Sequence, residues 1–283
     1  AVVHDDPAWD EREAARTVAR HIGSHHTEIQ MPGGGLSEDE LHALVAHHGD
    51  PFADSSSLPT RRLARIVRQH VTVALSGDGG DELFAGYPRF LQQRWVDAAG
   101  AIPSALRRPT FELSATLARH LPGSSRLVPR RVARALSLSQ RSAAERAVGT
   151  YVWYWPEEQH TALVPELRAP LTTLNDIVAA HSAGGISLAT ADGSHRMEQH
   201  LSLPGDMLTK VDRMTMAESL EIRPPLLDNR IMAFAAALPI DRKLEGRECK
   251  AILRSLARRW VPAEVVDRKK QGFGLPLVDY GGA

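Results

Sequence analysis

Val71-Thr72-Val73-Ala74-Leu75 runs without a break into Ser76-Gly77-Asp78-Gly79-Gly80-Asp81-Glu82. The first five residues form a continuous apolar, β-branched stretch, which suits a parallel strand buried on both faces. A helix-compatible segment begins near Asp81. Strand, glycine-rich loop and helix in that order is the arrangement in which open α/β sheets place ligands, beyond the carboxyl ends of their strands.

Glycine at 77, 79 and 80 lets backbone N–H groups approach an anion closely and permits positive φ. A helix N-terminus after the loop adds partial positive charge for phosphate. Asp78, Asp81 and Glu82 then place carboxylates where they would repel a polyphosphate. The combination points to Mg²⁺ between acid and phosphate. From these residues alone, a glycine- and aspartate-rich turn with solvated acids reads equally well. An EF-hand does not fit, because no ligand set runs to a Glu at the twelfth position. A Walker A loop does not fit either, because GxxxxGK[ST] does not occur.

Lys plus Arg and Asp plus Glu number 34 each among 283 residues. That balance exerts no global pull toward nucleic acid or an anionic membrane. No apolar run approaches the roughly 20 residues needed to cross a bilayer. Cys249 is the single cysteine, so an intrachain disulfide is excluded and a reducing, cytoplasmic setting is expected. The first residues, Ala1 to Asp6, have neither a basic n-region nor an apolar h-region and do not read as a signal peptide. The chain starts on Ala rather than Met, and the expectation is a segment that begins partway through a longer protein.

Helical spacing of Ala15, Val18, Ala19 and Ile22 predicts a helix over 8–23, with Gly23 as its stop. Residues 26–31 read as a short strand and Pro32 to Gly35 as a loop. Ser37 with Glu40 forms a capping box for a helix to about His48. A turn-rich stretch, 50–57, precedes a basic helix at 58–69. Beyond residue 100, Pro103, Pro109, Pro122 and Pro129 punctuate short Arg- and Ala-rich helical segments. Tyr151-Val152-Trp153-Tyr154-Trp155 reads as a packing knot. Further helices are expected at 166–182, 195–202, 204–220, 229–237 and 248–259, with an extended break from Arg223 to Asp228. The fold class is α/β: residues 1–98 form a partial parallel-sheet nucleotide-binding core, and 99–283 a mainly helical remainder.

Ser76 to Phe90, SGDGGDELFAGYPRF, resembles the signature of the synthetase domain of glutamine-hydrolysing asparagine synthetases. Asp50 to Thr60 (DPFADSSSLPT), Leu203 to Asp228 (LPGDMLTKVDRMTMAESLEIRPPLLD) and Arg268 to Leu277 (RKKQGFGLPL) resemble further segments of that family in the same order. The region 100–150 contributes little to the likeness. The resemblance implies an adenine nucleotide α-hydrolase-like core. It also implies a two-step reaction: ATP adenylates the side-chain carboxylate of aspartate, and ammonia from glutamine attacks the β-aspartyl-AMP. ATP and Mg²⁺ are the cofactors that follow, and a glutaminase domain is the partner. A homodimer is compatible with the sequence.

By the same resemblance Ser76 and Gly77 bind ATP, and Asp78 falls where an acid matters for forming the acyl-adenylate. Asp81 is the implied Mg²⁺ ligand. Glu82 orients substrate or assists proton transfer. Arg213 matches a cationic position that stabilises pyrophosphate or adenylate charge, and Lys210 is a weaker candidate for that task. Val2 falls on a strand residue beside the nucleotide base. Without the flanking likeness, Lys210, Asp212 and Arg213 read as a solvated, salt-paired helix face.

His25-His26-x-Glu28 and His47-His48 lack HExxH spacing and read as structural or surface histidines. The Arg residues from 126 to 146 are interleaved with Val, Ala and Leu, as on an amphipathic helix. Cys249 has no base beside it and reads as a packing residue. Family members also carry an SGG[IL]DSS loop and a glutaminase domain with an N-terminal cysteine. Neither pattern occurs in these residues, so a partial synthetase domain with impaired activity and an exposed sheet edge is expected. The alternatives are a related adenylating enzyme, such as a β-lactam synthetase or a lasso-peptide macrolactam synthetase, and a non-catalytic nucleotide-binding remnant.

Overall fold

The structure, a computed structural model, describes residues 2–3, 10–30, 36–50, 52–100, 102–121, 127–141, 145–146, 176, 180 and 191–268. The packing knot expected at 151–155, the loop at 32–35 and the segment 269–277 lie outside the described residues. The chain divides into two compact units, neither of them a continuous stretch. One comprises Ala1–Gly79, Leu203–Phe234 and Ala251–Ala283; the other comprises Gly80–Ser202 and Ala235–Lys250. The division falls between Gly79 and Gly80, inside the glycine-rich loop.

In the first unit, β1 (Val2–Val3) pairs in parallel with β2 (Ile29–Gln30), and β3 (Val73–Leu75) pairs in parallel with β4 (Glu221–Arg223). Helix α1 spans Arg12–Ile22 and ends, as predicted, on Gly23 with φ 68°. Helix α2 (Glu38–His48) starts on the predicted capping box, Ser37 with Glu40. Helix α3 covers Ser57–Val67. Arg62 grips Glu40 with two hydrogen bonds of 2.7 Å, tying α3 to α2. That grip draws the Glu40 carboxyl down to about 2.

The expectation for Val71–Leu75 is corrected in part. β3 is a strand, but Leu75 is 73% exposed and Val73 is exposed as well. Among the described residues β3 has β4 as its one strand partner, so a pair of strands leaves apolar surface uncovered where a wider sheet would bury it.

The helix expected at 204–220 also ends sooner. A π-helical stretch, Glu198–Leu208, carries Pro204, and an α-helix follows at Thr209–Met216. Ser219 takes φ 57°, which stops the helix and turns the chain into β4, a strand the sequence reading missed. In the first unit that helix packs on α3, with Met214, Leu220, Leu58 and Ala64 buried. Glu218 accepts from Arg61 at 2.8 Å and Arg65 at 3.0 Å.

The second unit holds α4 (Gly80–Leu83), α5 (Pro88–Gly100), α6 (Ser104–His120) and α7 (Leu127–Ser139). Pro109 was expected to punctuate this region, yet it lies inside α6. The ring removes one N–H donor and crowds the carbonyl one turn back, yet the helix runs on through it to His120. Val96 and Ala99 of α5 pack with Ala135, Leu136 and Leu138 of α7, the apolar side of the predicted amphipathic helix. Helix α8 (Ala191–Met197) packs against α5 and against a short helix, Ile240–Lys243. A second cluster joins Ala85, Phe90 and Leu244, with Cys249 packed beside it.

Candidate functional site

Ser76 continues the ladder of β3: its N–H donates to the Arg223 carbonyl at 3.1 Å. Its hydroxyl donates to Asp78 Oδ2 at 2.7 Å, so the loop's first acid is held by the residue two positions before it. Gly77 is exposed, and a Cβ placed on it would meet nothing within 4 Å. Gly79 differs on both counts. It sits at φ 84°, and a Cβ there would collide with the Leu227 side chain. The protein's own packing therefore requires glycine at 79, while at 77 the bare backbone opens outward.

The two candidate cations lie on the helix Thr209–Met216 of the same unit, with different surroundings. Lys210 is buried and donates to Asp54 Oδ2 at 2.7 Å. Asp54 Oδ1 takes the backbone N–H and hydroxyl of Ser56 at 2.8 and 2.7 Å. Burial pushes the Asp54 carboxyl up, but Lys210 and Ser56 together outweigh it and hold it below the ordinary aspartate range. Asp54 also lines a cavity of about 190 Å³ with His48, Phe52 and Leu58. Arg213 is exposed, and its guanidinium reaches the His47 carbonyl at 3.5 Å. Among the described residues, neither cation is paired with Ser76 or Asp78. Val2 stands opposite Ile29 in the β1–β2 pair.

The loop's other acids belong to the second unit. Lys250 Nζ stands 3.1 Å from Asp81 Oδ1. Gly86 makes that meeting possible, since a Cβ on it would strike both the Asp81 carboxylate and the Lys250 stem. The Gly86 N–H donates to the Asp81 carbonyl at 2.8 Å. The turn before it is strained, with Ala85 at φ 54°, and Lys250 itself sits at φ 55°. Non-glycine residues take such angles at a cost of order 1–3 kcal/mol each.

Glu82 is 2% exposed. Tyr87 donates its phenol hydroxyl to Glu82 Oε1, and Gln199 Nε2 donates to the Glu82 carbonyl at 3.1 Å. Burial, then the neighbouring Glu82, pushes the Tyr87 phenol far above its ordinary range, so Tyr87 stays a donor. The Arg89 guanidinium lies 4.0 Å from the centre of the Tyr87 ring and pairs with the fully buried Glu198.

The sequence reading passed over Asp54, Tyr87, Arg89, Glu198 and Lys250. Asp54, Tyr87 and Arg89 sit inside the segments quoted for their family likeness, where charge and hydroxyl were visible but unpartnered. Lys250 follows Cys249, which drew attention instead. Cys249 proves to be a packing residue, its sulfur 3.7 Å from the Tyr87 carbonyl. His48 likewise stacks on Phe52, with ring centroids 4.1 Å apart.

Among the described residues, no three or more His, Cys, Asp or Glu side chains gather as a metal cage. A Mg²⁺ site needs no such cage. One or two carboxylates suffice when phosphate oxygens and water complete the octahedron. Asp81 offers one such carboxylate, its Oδ1 3.1 Å from the Lys250 ammonium.

A family model described as asparagine synthase matches residues 1–280. Glutamine-hydrolyzing asparagine synthetase 1 of Bacillus subtilis is 31% identical over 278 residues, covering 98% of this chain and 42% of that protein. Glutamine-hydrolyzing asparagine synthetase 3 of the same organism is 32% identical over 273 residues, covering 95% of this chain and 36% of that protein. The Saccharomyces cerevisiae glutamine-hydrolyzing asparagine synthetase 1 is 36% identical over 90 residues, 30% of this chain and 15% of that protein. The chain spans less than half the length of these curated relatives.

Proposed function

The chain belongs to the asparagine synthase family, and from that premise we propose that it serves ATP-dependent amide formation, with aspartate as the carboxylate and glutamine as the source of ammonia. An oxygen of the aspartate side-chain carboxylate attacks the α-phosphorus of ATP, and the bond to pyrophosphate breaks. Ammonia then attacks the acyl carbon, loses a proton, and AMP departs. The protein must bind the triphosphate, offset its charge and orient the two nucleophiles.

The roles divide along the chain. Ser76 and Gly77 receive the nucleotide at the open backbone of Gly77, because the Ser76 N–H is committed to Arg223 and its hydroxyl proton to Asp78. Val2 lies beside the base. Asp78, oriented by the Ser76 hydroxyl, supports formation of the acyl-adenylate. Arg213, exposed and lightly held, offsets charge on the departing pyrophosphate. Lys210 is the weaker cation, because Asp54 already binds its ammonium. Glu82 orients substrate or receives the proton that the amine loses. Asp81 would hold Mg²⁺, which when bound screens the triphosphate and makes pyrophosphate a better leaving group. A glutaminase domain would supply the ammonia.

The observation that carries this reading is the loop at the carboxyl end of β3, where hydroxyl, open glycine backbone and carboxylates follow one another from Ser76 to Glu82. The test is ATP–pyrophosphate exchange with a panel of carboxylates, run beside nucleotide binding with and without Mg²⁺. Exchange that requires aspartate, and Mg²⁺-dependent binding weakened by Asp81→Asn, is the expected result. Exchange driven by another carboxylate would move the reading to a different adenylating enzyme. A wild-type chain that binds no nucleotide under either condition would overturn it.

A further inference from the structure

We propose that Tyr87, Arg89 and Glu198 are positioning residues that hold the Glu82 carboxylate in one orientation. This deepens the reading of Glu82 given above and rests on it. A carboxylate that is 2% exposed must find donors or give up its charge. The simplest donor, a lysine or arginine in direct contact, would spend that charge in an ion pair. Here the side-chain donor is instead the neutral hydroxyl of Tyr87. The nearby cation is displaced by one step: the Arg89 guanidinium lies over the face of the Tyr87 ring, 4.0 Å from its centre. A cation over a phenol ring is attracted to its π-face and polarises the hydroxyl, which strengthens the bond it donates. The result is a firm hydrogen bond that fixes the Glu82 carboxylate in one orientation.

Arg89 needs its own anchor, and Glu198 supplies it. Glu198 is fully buried, pairs with Arg89 and receives a hydrogen bond from Ser202. The next residue, Gln199, donates to the Glu82 main-chain carbonyl at 3.1 Å. One helical stretch therefore fixes Glu82 twice: its side chain through Arg89 and Tyr87, and its backbone through Gln199. All of these residues lie within the second unit.

The variants are Glu198→Gln, which keeps size and removes charge, Tyr87→Phe, which removes only the hydroxyl, and Glu198→Asp as the conservative rescue. Amide hydrogen exchange on the full chain reports the holding directly. Loss of one such bond should speed exchange from Gly80 to Tyr87 about tenfold while α7 stays unchanged. In ATP–pyrophosphate exchange, kcat should fall by about tenfold or more with KM for ATP within twofold, and Glu198→Asp should recover part of it. Unchanged exchange at 80–87 would overturn the proposal. So would a rise shared equally by α7, which marks a merely fold-holding role, or local loosening with kcat intact. A wild-type chain inactive in the exchange reaction would strike at the proposed function, while the hydrogen-exchange comparison would still decide whether these residues hold Glu82.

Discussion

Lys250 meets Asp81 at 3.1 Å over the bare backbone of Gly86, and a single methyl group at 86 would occupy the space both side chains use. Gly86→Ala is therefore expected to part the pair. The cost should be about 2 kcal/mol, in the range of other overpacked sites, read from urea denaturation midpoints. Mg²⁺-dependent nucleotide binding should weaken as well, because Asp81 would lose its orientation.

The glycines at 77 and 79 should separate stability from ligand binding. Gly79→Ala places a Cβ at φ 84° and against Leu227, so a loss of more than about 1 kcal/mol is expected. Gly77→Ala meets no neighbour and should leave stability within about 0.5 kcal/mol. Its effect should appear in ATP affinity. Thermal melts and nucleotide titrations on the two variants check both halves.

Lys210 and Asp54 should behave as a buried pair. Removing one partner leaves the other uncompensated, and Lys210→Met is expected to cost about 3 kcal/mol. The double variant Lys210→Met with Asp54→Leu should recover much of that loss, because no charge is then stranded. Chemical denaturation of the two single variants and the double variant gives the coupling directly.

Acid should destabilise this chain through a histidine. Burial, and then the nearby Lys243, pull the His195 imidazole down to about 3, whereas an unfolded histidine titrates near 6.5. Below that unfolded value the unfolded state binds a proton that the folded state refuses. The contribution is fully present above about pH 6.5 and is lost as pH falls toward 3. A single group of this kind gives a slope of about 1.4 kcal/mol per pH unit. Comparing the wild type with His195→Gln between about pH 4.5 and 6.5 isolates it. His48, also held low by burial, is present in both chains. Glu40, drawn down by Arg62, contributes below that window.

Local demands made part of the molecule legible before any coordinates. The box of Ser37 and Glu40, the stop at Gly23 and the amphipathic helix after 126 are written within a few residues of one another, because their physics acts over one or two helical turns. β4 was invisible for the complementary reason. Leu220 to Arg223 alternate apolar and polar, but so short a run at the end of a helical segment does not declare a strand, and its state follows from pairing with Val73, Ala74 and Leu75. The exposure of Leu75 escaped notice because an apolar run says what can be buried, not how many strands cover it.

The sequence by itself determined that Ser76 to Glu82 is a glycine-rich stretch crowded with acid at the end of a strand, since backbone freedom and charge are properties of those residues alone. Which cation answers which acid was decided only by tertiary structure. Asp81 takes Lys250, Asp54 takes Lys210 from 156 positions away, and Glu198 takes Arg89 from 109 positions away. A charge in water has little preference among partners. The preference arises when packing removes the water and leaves one group within reach.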